Sequence, residues 1–269
     1  WTPFIPTGRI SVNTNTELNN YLEKVIAYEI QQQQNGVYTS ANKDWQKQVI
    51  HFGGGSTGAE QAEFRYYLEE MENKIEKEYF GGNVLRVYKT NSDPLDPTVY
   101  SEVSNKLSTG TSILNFFGHA NSQTSGFEIN IDDPQNWDNR GRYPLVIANT
   151  CYNGNIFYHE NLSVSTSERF VRANGAGAIA YISSVYLGFP NALFSFTGGL
   201  YDQFSTKSYG LPLGEQIRRN IETLENSSNT DIIMEATALQ MALNGDPLIK
   251  LNWHAKPEIE LLSEKVNFG

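Results

Sequence analysis

Two reactive side chains stand at the ends of two apolar runs in this sequence. The single cysteine, Cys151, ends the run 144–151, and His119 ends the earlier run 112–119. Both runs have the length and composition of buried strands, and loop sequence containing glycine follows each one. In an open α/β sheet the carboxyl ends of adjacent strands meet in one crevice, where ligands bind. A thiol and an imidazole delivered there form a candidate nucleophile and base, which predicts a cysteine-peptidase site.

Each of these residues also has an ordinary structural explanation. A lone cysteine is often a small buried hydrophobe, and a histidine at a strand end is often satisfied by a turn carbonyl. However, polar residues surround Cys151, and a thiol near a helix amino terminus can become reactive. Among the four histidines only His119 stands at a predicted strand end. The small Ala120 follows it, and its backbone N–H can point at a developing oxyanion without hindrance from a large side chain.

The elements that must position this pair alternate along the chain. We predict strands at 48–52, 84–88, 112–119, 144–151, 177–182 and 248–252. Helical spacing and start signals, among them Thr16 and the pair Asp96-Pro97, predict helices at 16–30, 59–79, 97–107, from 165 or 166 onward, 190–204, 213–225 and 231–243. The polar stretch 31–44 is expected to be a loop. Strands alternate with helices from 48 to 182, which indicates a mainly parallel sheet in one α/β domain over residues 1–269.

Composition excludes several classes of protein. Acidic residues outnumber basic ones, 30 to 20, and the net charge is −10. With no basic cluster, neither nucleic acid nor an anionic membrane surface is an expected partner. No apolar stretch is long enough to span a membrane. One cysteine can form neither an internal disulfide nor a cysteine-based zinc site. The chain begins at Trp1 without an initiator methionine or signal peptide, so we expect a fragment of a longer protein.

A glycine-rich turn offers a different function. Residues 53–58 match the G-x-G-x-x-G pattern between a predicted strand and a predicted helix, which is the setting of a dinucleotide site. That site also needs an acidic residue at the end of the next strand, to hold the ribose. Tyr88 and its neighbours stand there instead. The pattern therefore favours a structural turn at the rim of the crevice.

Acidic residues give two further alternatives. Glu60 and Glu63 lie at the amino end of a predicted charged helix, the end nearest the crevice, where either could recognise a basic substrate residue. The same positions also suit a solvated helix face. Asp93, Asp96, Asp132 and Asp133 could hold a structural calcium ion, although the spacing of a calcium-binding loop is absent. The predicted cysteine-peptidase site itself requires no cofactor.

With both strand ends placed, the chain resembles the gingipain family of cysteine peptidases, within the larger group that includes caspases and legumains. The mark of that group is an apolar strand ending in His-Gly and a later apolar strand ending in the catalytic cysteine. Here the corresponding segments are 115–120 and 147–154. The resemblance continues through 6–11, 25–29, 167–170, 175–180 and 245–247, and so spans nearly the whole chain.

The resemblance implies a caspase-like, flavodoxin-like three-layer sandwich and a polypeptide substrate. His119 would act as base or proton donor, Cys151 would form an acyl thioester, and the N–H groups of Ala120 and Cys151 would form the oxyanion hole. By position, the pocket for the residue before the scissile bond would be lined by Ser183, Ser184, Val185 and Tyr186. Relatives of this pattern include the sortase of the type IX secretion system. That similarity implies a secreted or cell-surface enzyme of a Bacteroidetes-type bacterium, working with other secretion components.

Two departures from the family pattern bear on activity. Ala120 replaces the family's glycine after the histidine, and Gly53 stands where gingipains carry a glutamate that steadies the histidine. The site would then work as a dyad, or with another acid, or with reduced activity. A subdomain usually precedes the family's catalytic domain, and we expect none within these 269 residues. Three hypotheses follow: a sortase-like transpeptidase, a gingipain-like endopeptidase that cleaves after basic residues if Glu60 or Glu63 reaches the pocket, or an inactive peptide-binding relative.

Overall fold

The computed structural model describes residues 1–33, 39–77, 79–90, 97–120, 133–157, 164–228 and 230–252. Its strands are β1 (Gln48–Gly53), β2 (Asn83–Tyr88), β3 (Ile113–Phe117), β4 (Leu145–Asn149), β5 (Ala180–Ser184) and β6 (Met241–Gly245). They form one sheet in the order β2-β1-β3-β4-β5-β6. All neighbouring pairs are parallel except β5 and β6, which are antiparallel. The prediction of a mainly parallel α/β sheet is confirmed.

Helices follow most of the strands. They are α1 (Asn15–Gln33), α2 (Ser40–Lys43), α3 (Gly58–Ile75), α4 (Pro97–Thr109), α5 (Thr166–Arg172), α6 (Pro190–Asp202), α7 (Leu213–Glu225) and α8 (Ile232–Gln240). A π-helical turn, Gln203–Lys207, continues α6. The amino ends of α3 and α5 carry reciprocal capping boxes, built by Thr57 with Glu60 and by Ser165 with Glu168. These caps satisfy backbone N–H groups that a helix start otherwise leaves unpaired.

The sheet is the middle of three layers. Successive side chains of a strand point to opposite faces of the sheet, and helices cover both faces. On β3, Ile113 and Phe117 pack into one core cluster with α3 and α6, whereas Leu114 and Phe116 pack into the other with α4 and α5. All five residues of β3, and all five of β4, are buried. Strands covered on both faces read as continuous apolar runs, which explains the two runs seen in the sequence.

Four sequence predictions need correction. The last strand is β6, not 248–252, and α8 ends at Gln240 instead of continuing to 243. Pairing with β5 and with the backbone of Arg9 holds 241–245 extended, although its composition also suits a helix. The stretch predicted as the loop 31–44 contains the end of α1 and the short α2. At the start of α1 it is the Thr14 hydroxyl, not Thr16, that accepts from a backbone N–H, that of Glu17.

Candidate active site

The sheet register brings His119 and Cys151 to the same edge. Phe117, the last residue of β3, is opposite Asn149, the last residue of β4. His119 and Cys151 each follow two residues later, and neighbouring strands lie about 4.8 Å apart. The Gly118 N–H donates to the Asn149 carbonyl at 3.3 Å, which ties the two strand ends together. The thiol and the imidazole therefore leave adjacent strands at the carboxyl edge of the sheet.

This edge is also a switch point of the topology. The chain runs from β1 outward to β2, then returns to β3 on the other side of β1. The connections leaving β1 and β3 therefore lead to opposite sides of the sheet, and such a switch point is the usual ligand site of these sheets. The turn after β1 packs closely there, with Gly54 N–H donating to the Phe117 carbonyl at 2.9 Å. A Cβ on Gly118 would come within 2.6 Å of the Phe116 ring, so only glycine fits beside this turn.

The carboxylate of Glu60 contacts the imidazole of His119, a contact that the sequence did not predict. Its Oε1 lies 3.3 Å from Nε2 of His119. Its Oε2 accepts from the N–H groups of Ser56 at 2.8 Å and Thr57 at 3.2 Å. The Ser56 N–H is the largest influence that lowers the pKa of the Glu60 carboxyl, and His119 lowers it further. One carboxylate thus caps α3 and faces the imidazole at the same time.

The aromatic side of His119 rests on the same helix. Its ring meets that of Phe64 edge to face, with 6.1 Å between centroids. Phe64 follows Glu60 by one helical turn, so both residues lie on one face of α3. Two residues of α3 therefore contact the imidazole, Glu60 at Nε2 and Phe64 at the ring, while the His119 side chain stays more than half exposed.

The same contacts argue against a dinucleotide site at the glycine-rich turn. The N–H groups of Ser56 and Thr57, which would cradle a phosphate at the start of α3, already bind the Glu60 carboxylate. A phosphate would meet that negative charge instead of free donors. Tyr88 ends β2, where the ribose-binding acid would stand. The structural interpretation of residues 53–58 is the one that the geometry supports.

The Cys151 thiol is partly exposed and has one close polar neighbour. The Gly188 N–H, in the segment between β5 and α6, donates to Sγ at 3.3 Å. A Cβ on Gly188 would lie 2.9 Å from the Thr150 carbonyl oxygen and 2.6 Å from Leu193, so a side chain does not fit here. The thiol can in turn donate to the Gly188 carbonyl, 3.9 Å away, so both backbone groups of Gly188 face the sulfur.

The turn that follows the cysteine is strained. Tyr152 has φ +56°, in the left-handed region that non-glycine residues rarely adopt. Its N–H donates to the Tyr186 carbonyl at 2.8 Å, and the Gly154 N–H donates to the Ser184 carbonyl at 2.9 Å. Two hydrogen bonds to the segment after β5 thus fix the turn against its strain. They also hold Cys151 at the exposed end of β4.

The predicted oxyanion donors are placed as follows. Ala120 follows His119 at the edge, and among the described residues only Tyr79 and Tyr152 are non-glycines with positive φ. The alanine therefore sits in an ordinary backbone conformation and does not need the family's glycine. No hydrogen bond within the described part of the chain uses the N–H of Ala120 or of Cys151. Both N–H groups are thus unoccupied within that part.

The predicted pocket residues divide into two groups. Ser183 and Ser184 are buried, and their hydroxyls donate to the carbonyls of Ala148 at 2.8 Å and Tyr186 at 2.9 Å. They do not line an open surface here, because β5 continues through both positions. Val185 is partly buried, and its N–H donates to the Gln240 carbonyl. Tyr186 is exposed, and its ring meets that of Tyr152 edge to face.

A buried polar network lies beneath the site. The Tyr201 hydroxyl is 2.9 Å from His51 Nε2 and accepts from Asn115 Nδ2 at 3.0 Å. Asn149 donates to Asn115 Oδ1 at 2.8 Å and accepts from the Thr197 hydroxyl. Burial lowers the pKa of His51 to about 3, so this histidine is neutral. The network joins β1, β3, β4 and α6 directly below the strand ends that carry His119 and Cys151.

Three of the four aspartates predicted to hold calcium, Asp93, Asp96 and Asp132, lie outside the described residues. Asp133 uses both carboxylate oxygens locally, accepting from the Gln135 N–H and the Asn136 amide. The described ranges contain no group of three side chains able to hold a metal ion.

Sequence and structure comparisons identify the family. The model of peptidase family C25 matches residues 2–252. The chain belongs to peptidase family C25. A comparison of the sequence with curated proteins gives no match.

Solved structures share the fold at low identity. The Arg-specific cysteine proteinase gingipain R (RgpB) is 15% identical with a TM-score of 0.66, over 90% of this chain and 54% of that one. The complex of the pro- and mature domains of Porphyromonas gingivalis RgpB is 14% identical with a TM-score of 0.70, over 94% of this chain and 58% of that one. A structure described only as a protease is 17% identical with a TM-score of 0.69, over 92% of this chain and 56% of that one. This C25 chain therefore has the caspase-like gingipain fold and spans little more than half of these neighbours.

Family membership places the chain among the gingipain-type cysteine peptidases in sequence family, and the solved structures show the same fold. It agrees with the sequence prediction made from the two strand ends. Among the helices of the described chain, none is long and apolar enough to cross a membrane. Sequence reasoning did not anticipate that Glu60 contacts His119, or that Gly188 contacts Cys151. The capping-box pattern at 57–60 was the one available signal for Glu60, because it aims that carboxylate back toward the strand end.

Proposed function

We propose that this C25 chain is the catalytic domain of a peptidase that works through His119 and Cys151, with Glu60 orienting the imidazole. The observation that carries the proposal is the register, which sets the two residues two positions beyond the paired residues Phe117 and Asn149. Gly53 takes the place of the family glutamate, and Glu60 supplies a carboxylate from the next helix instead. The site would then be a triad assembled from β3, β4 and α3.

The chemistry follows from these positions. His119 takes the thiol proton of Cys151, and Sγ attacks the carbonyl carbon of the scissile peptide bond. The carbon–nitrogen bond then breaks, the leaving amine takes the proton back from His119, and the acyl group remains on sulfur as a thioester. With Nε2 of His119 facing Glu60, Nδ1 is the nitrogen free to exchange this proton. The carboxylate favours the positively charged imidazole that forms in the first step.

The N–H groups of Ala120 and Cys151 are the proposed oxyanion donors. The residue Ala120 follows the base His119, and the other N–H is that of the nucleophile Cys151 itself. Neither N–H donates a hydrogen bond within the described residues. Donors of this kind stabilise the tetrahedral intermediate when they lie about 2.7–3.1 Å from the oxygen. The Gly188 N–H would serve an earlier stage, because it already points at Sγ.

Two acceptors can resolve the thioester. Water gives hydrolysis, and the amine of a second molecule gives transpeptidation with the same nucleophile and base. We propose the second outcome, a sortase-like step on exported polypeptides of the type IX secretion system, at or beyond the cell surface of a Bacteroidetes-type bacterium. The likeness of the fold to Porphyromonas gingivalis RgpB supports this setting. The alternatives are an endopeptidase and an inactive peptide-binding relative.

Product analysis separates these functions. A mixed peptide pool would be incubated with the chain, with and without an added amine such as a glycine amide, and the products would be resolved by mass spectrometry. The proposal predicts cleavage that requires Cys151 and His119, with amine-capped products in place of acids when the amine is present. Acid products alone would indicate an endopeptidase. Cleavage that survives Cys151→Ala would contradict the proposed site.

A further inference from the structure

An apolar shelf surrounds the candidate nucleophile. We use this name for Tyr152, Tyr186, Leu187 and Phe189. The last three are 59%, 42% and 47% exposed, although large apolar side chains are usually covered in a folded domain. They follow β5 in sequence and stand on the surface together with Tyr152, the residue after Cys151.

The shelf lies against the thiol. The rings of Tyr152 and Tyr186 meet edge to face with 5.2 Å between centroids. Gly188, between Leu187 and Phe189, donates its N–H to Cys151 Sγ at 3.3 Å. A peptide whose carbonyl carbon reaches that sulfur must therefore pass next to these side chains.

The shelf is fixed before any substrate arrives. The Tyr186 carbonyl accepts from the Tyr152 N–H at 2.8 Å, and the Leu187 carbonyl accepts from the Gln240 side chain at 2.7 Å. The Phe189 carbonyl accepts from the Leu193 N–H at 2.9 Å, at the start of α6. Because the backbone is already ordered, binding an apolar group here costs little conformational entropy.

The charges on the described segments beside the thiol point to the same class of ligand. The two segments next to Cys151, residues 152–157 and 183–191, contain no charged residue. The two acids considered for binding a basic substrate are engaged elsewhere: Glu60 with the α3 cap and His119, and Glu63 with the Tyr67 hydroxyl. An arginine or lysine side chain on the shelf would have no counter-ion from these residues, and its desolvation would be unfavourable.

We propose that the shelf selects a large apolar or aromatic side chain of the substrate beside the scissile bond, in place of a basic one. This inference rests on the proposed function, since it assigns the substrate class of the same site. Exclusion of water from an aromatic or leucine side chain on Tyr186 and Leu187 would supply the preference.

The test uses peptidyl acyloxymethyl ketones that are identical except for phenylalanine, leucine, arginine or lysine at the reacting end. The rate of labelling at Cys151 would be measured for each by intact mass. We expect phenylalanine and leucine probes to label about tenfold faster, or more, than the basic probes. Equal rates, or faster labelling by arginine or lysine, would overturn the inference and leave the proposed function standing.

Variants locate the preference on the shelf. Leu187→Ser and Tyr186→Ser should slow the phenylalanine probe and leave the arginine probe nearly unchanged. Leu22→Ser is a matched control, because Leu22 on α1 is 46% exposed and its neighbour Tyr21 bonds to the Ile179 carbonyl, before the start of β5, whereas the shelf follows the end of β5. If both shelf variants retained the full preference, the shelf would not be its source. Failure of all four probes to label Cys151 would instead contradict the proposed function itself.

Discussion

Glu60 Oε1 lies 3.3 Å from His119 Nε2, while the other oxygen of the same carboxylate caps the helix that follows β1. The two contacts depend on one another, because the cap fixes the direction in which the free oxygen points. Glu60 lies on α3 and not on a strand, and we propose that it supplies the carboxylate that the family resemblance places at the position of Gly53. A positioning role for Glu60 can therefore be tested without disturbing the strands.

Glu60→Gln keeps an oxygen for the Ser56 and Thr57 N–H groups but removes the negative charge beside His119. We expect the rate of peptide cleavage to fall by about 2- to 5-fold, since an exposed ion pair contributes about 1 kcal/mol or less. The melting temperature should change little. Glu63→Gln, on the same helix, is the control and should keep the wild-type rate. An unchanged rate in Glu60→Gln would mean that its contact with the imidazole has no role in the reaction.

Gly188→Ala places a methyl group against the Thr150 carbonyl and Leu193. The segment must move, and its N–H then no longer points at Cys151 Sγ. We expect slower alkylation of the thiol by iodoacetamide at fixed pH, measured by intact mass. Gly198→Ala in α6 serves as the control, because its Cβ meets nothing closer than 3.7 Å. Equal alkylation rates in both variants would exclude a role for the Gly188 N–H.

Tyr201→Phe removes the hydroxyl that joins His51 to Asn115 in the buried network. Two buried polar groups then lose a partner, and each such loss costs about 1–3 kcal/mol. We expect a clear drop in the urea midpoint without a change in the slope of the transition. Tyr66→Phe, at an exposed position on α3, should leave the midpoint unchanged. A Tyr201→Phe variant as stable as the wild type would show that the network does not stabilise the sheet.

The burial of Lys24 should make the stability of the fold depend on pH. The Lys24 Nζ donates to the carbonyls of Val171 at 2.9 Å and Ala178 at 2.8 Å, and burial lowers the pKa of this amine from 10.5 to about 7. Between these values the unfolded chain binds a proton that the folded chain does not. Stability should therefore rise with pH from about 7 to about 9.5.

Urea unfolding at several pH values checks this slope. Above pH 10 the buried tyrosines Tyr21, Tyr28 and Tyr201 act in the opposite direction, because burial raises their pKa values. Lys24→Met should be less dependent on pH than the wild type between 7 and 9.5. Parallel pH profiles for the two proteins would contradict the assignment to Lys24.

The sequence was sufficient for the fold and for the placing of His119 and Cys151 because both depend on local signals. Buried parallel strands read as apolar runs, and the residue after each run lies at the sheet edge. The strand β6 was misplaced since Met241–Gly245 is held extended by pairing with β5, a long-range contact that composition does not encode. For short apolar runs such pairing outweighs intrinsic preference.

The partners of the two reactive residues depend on contacts across the fold. Glu60 and His119 are far apart in sequence and meet because Gly54 and Gly118 allow the turns after β1 and β3 to pack together. Gly188 approaches the thiol through the path of the chain between β5 and α6. Neither contact has a spacing rule in the sequence, from which Glu60 is predicted only as a candidate ligand for a basic substrate residue or as part of a solvated helix face.

The most direct test of the central claim is intact-mass labelling by a peptidyl acyloxymethyl ketone ending in phenylalanine. It would be run on the wild type, Cys151→Ala and His119→Ala. The account predicts one adduct per chain on the wild type, none on Cys151→Ala, and labelling slowed about 100-fold or more on His119→Ala, since a positioned base contributes at least that much. Labelling of Cys151 at the same rate without His119 would identify an ordinary exposed thiol and contradict the proposed active site.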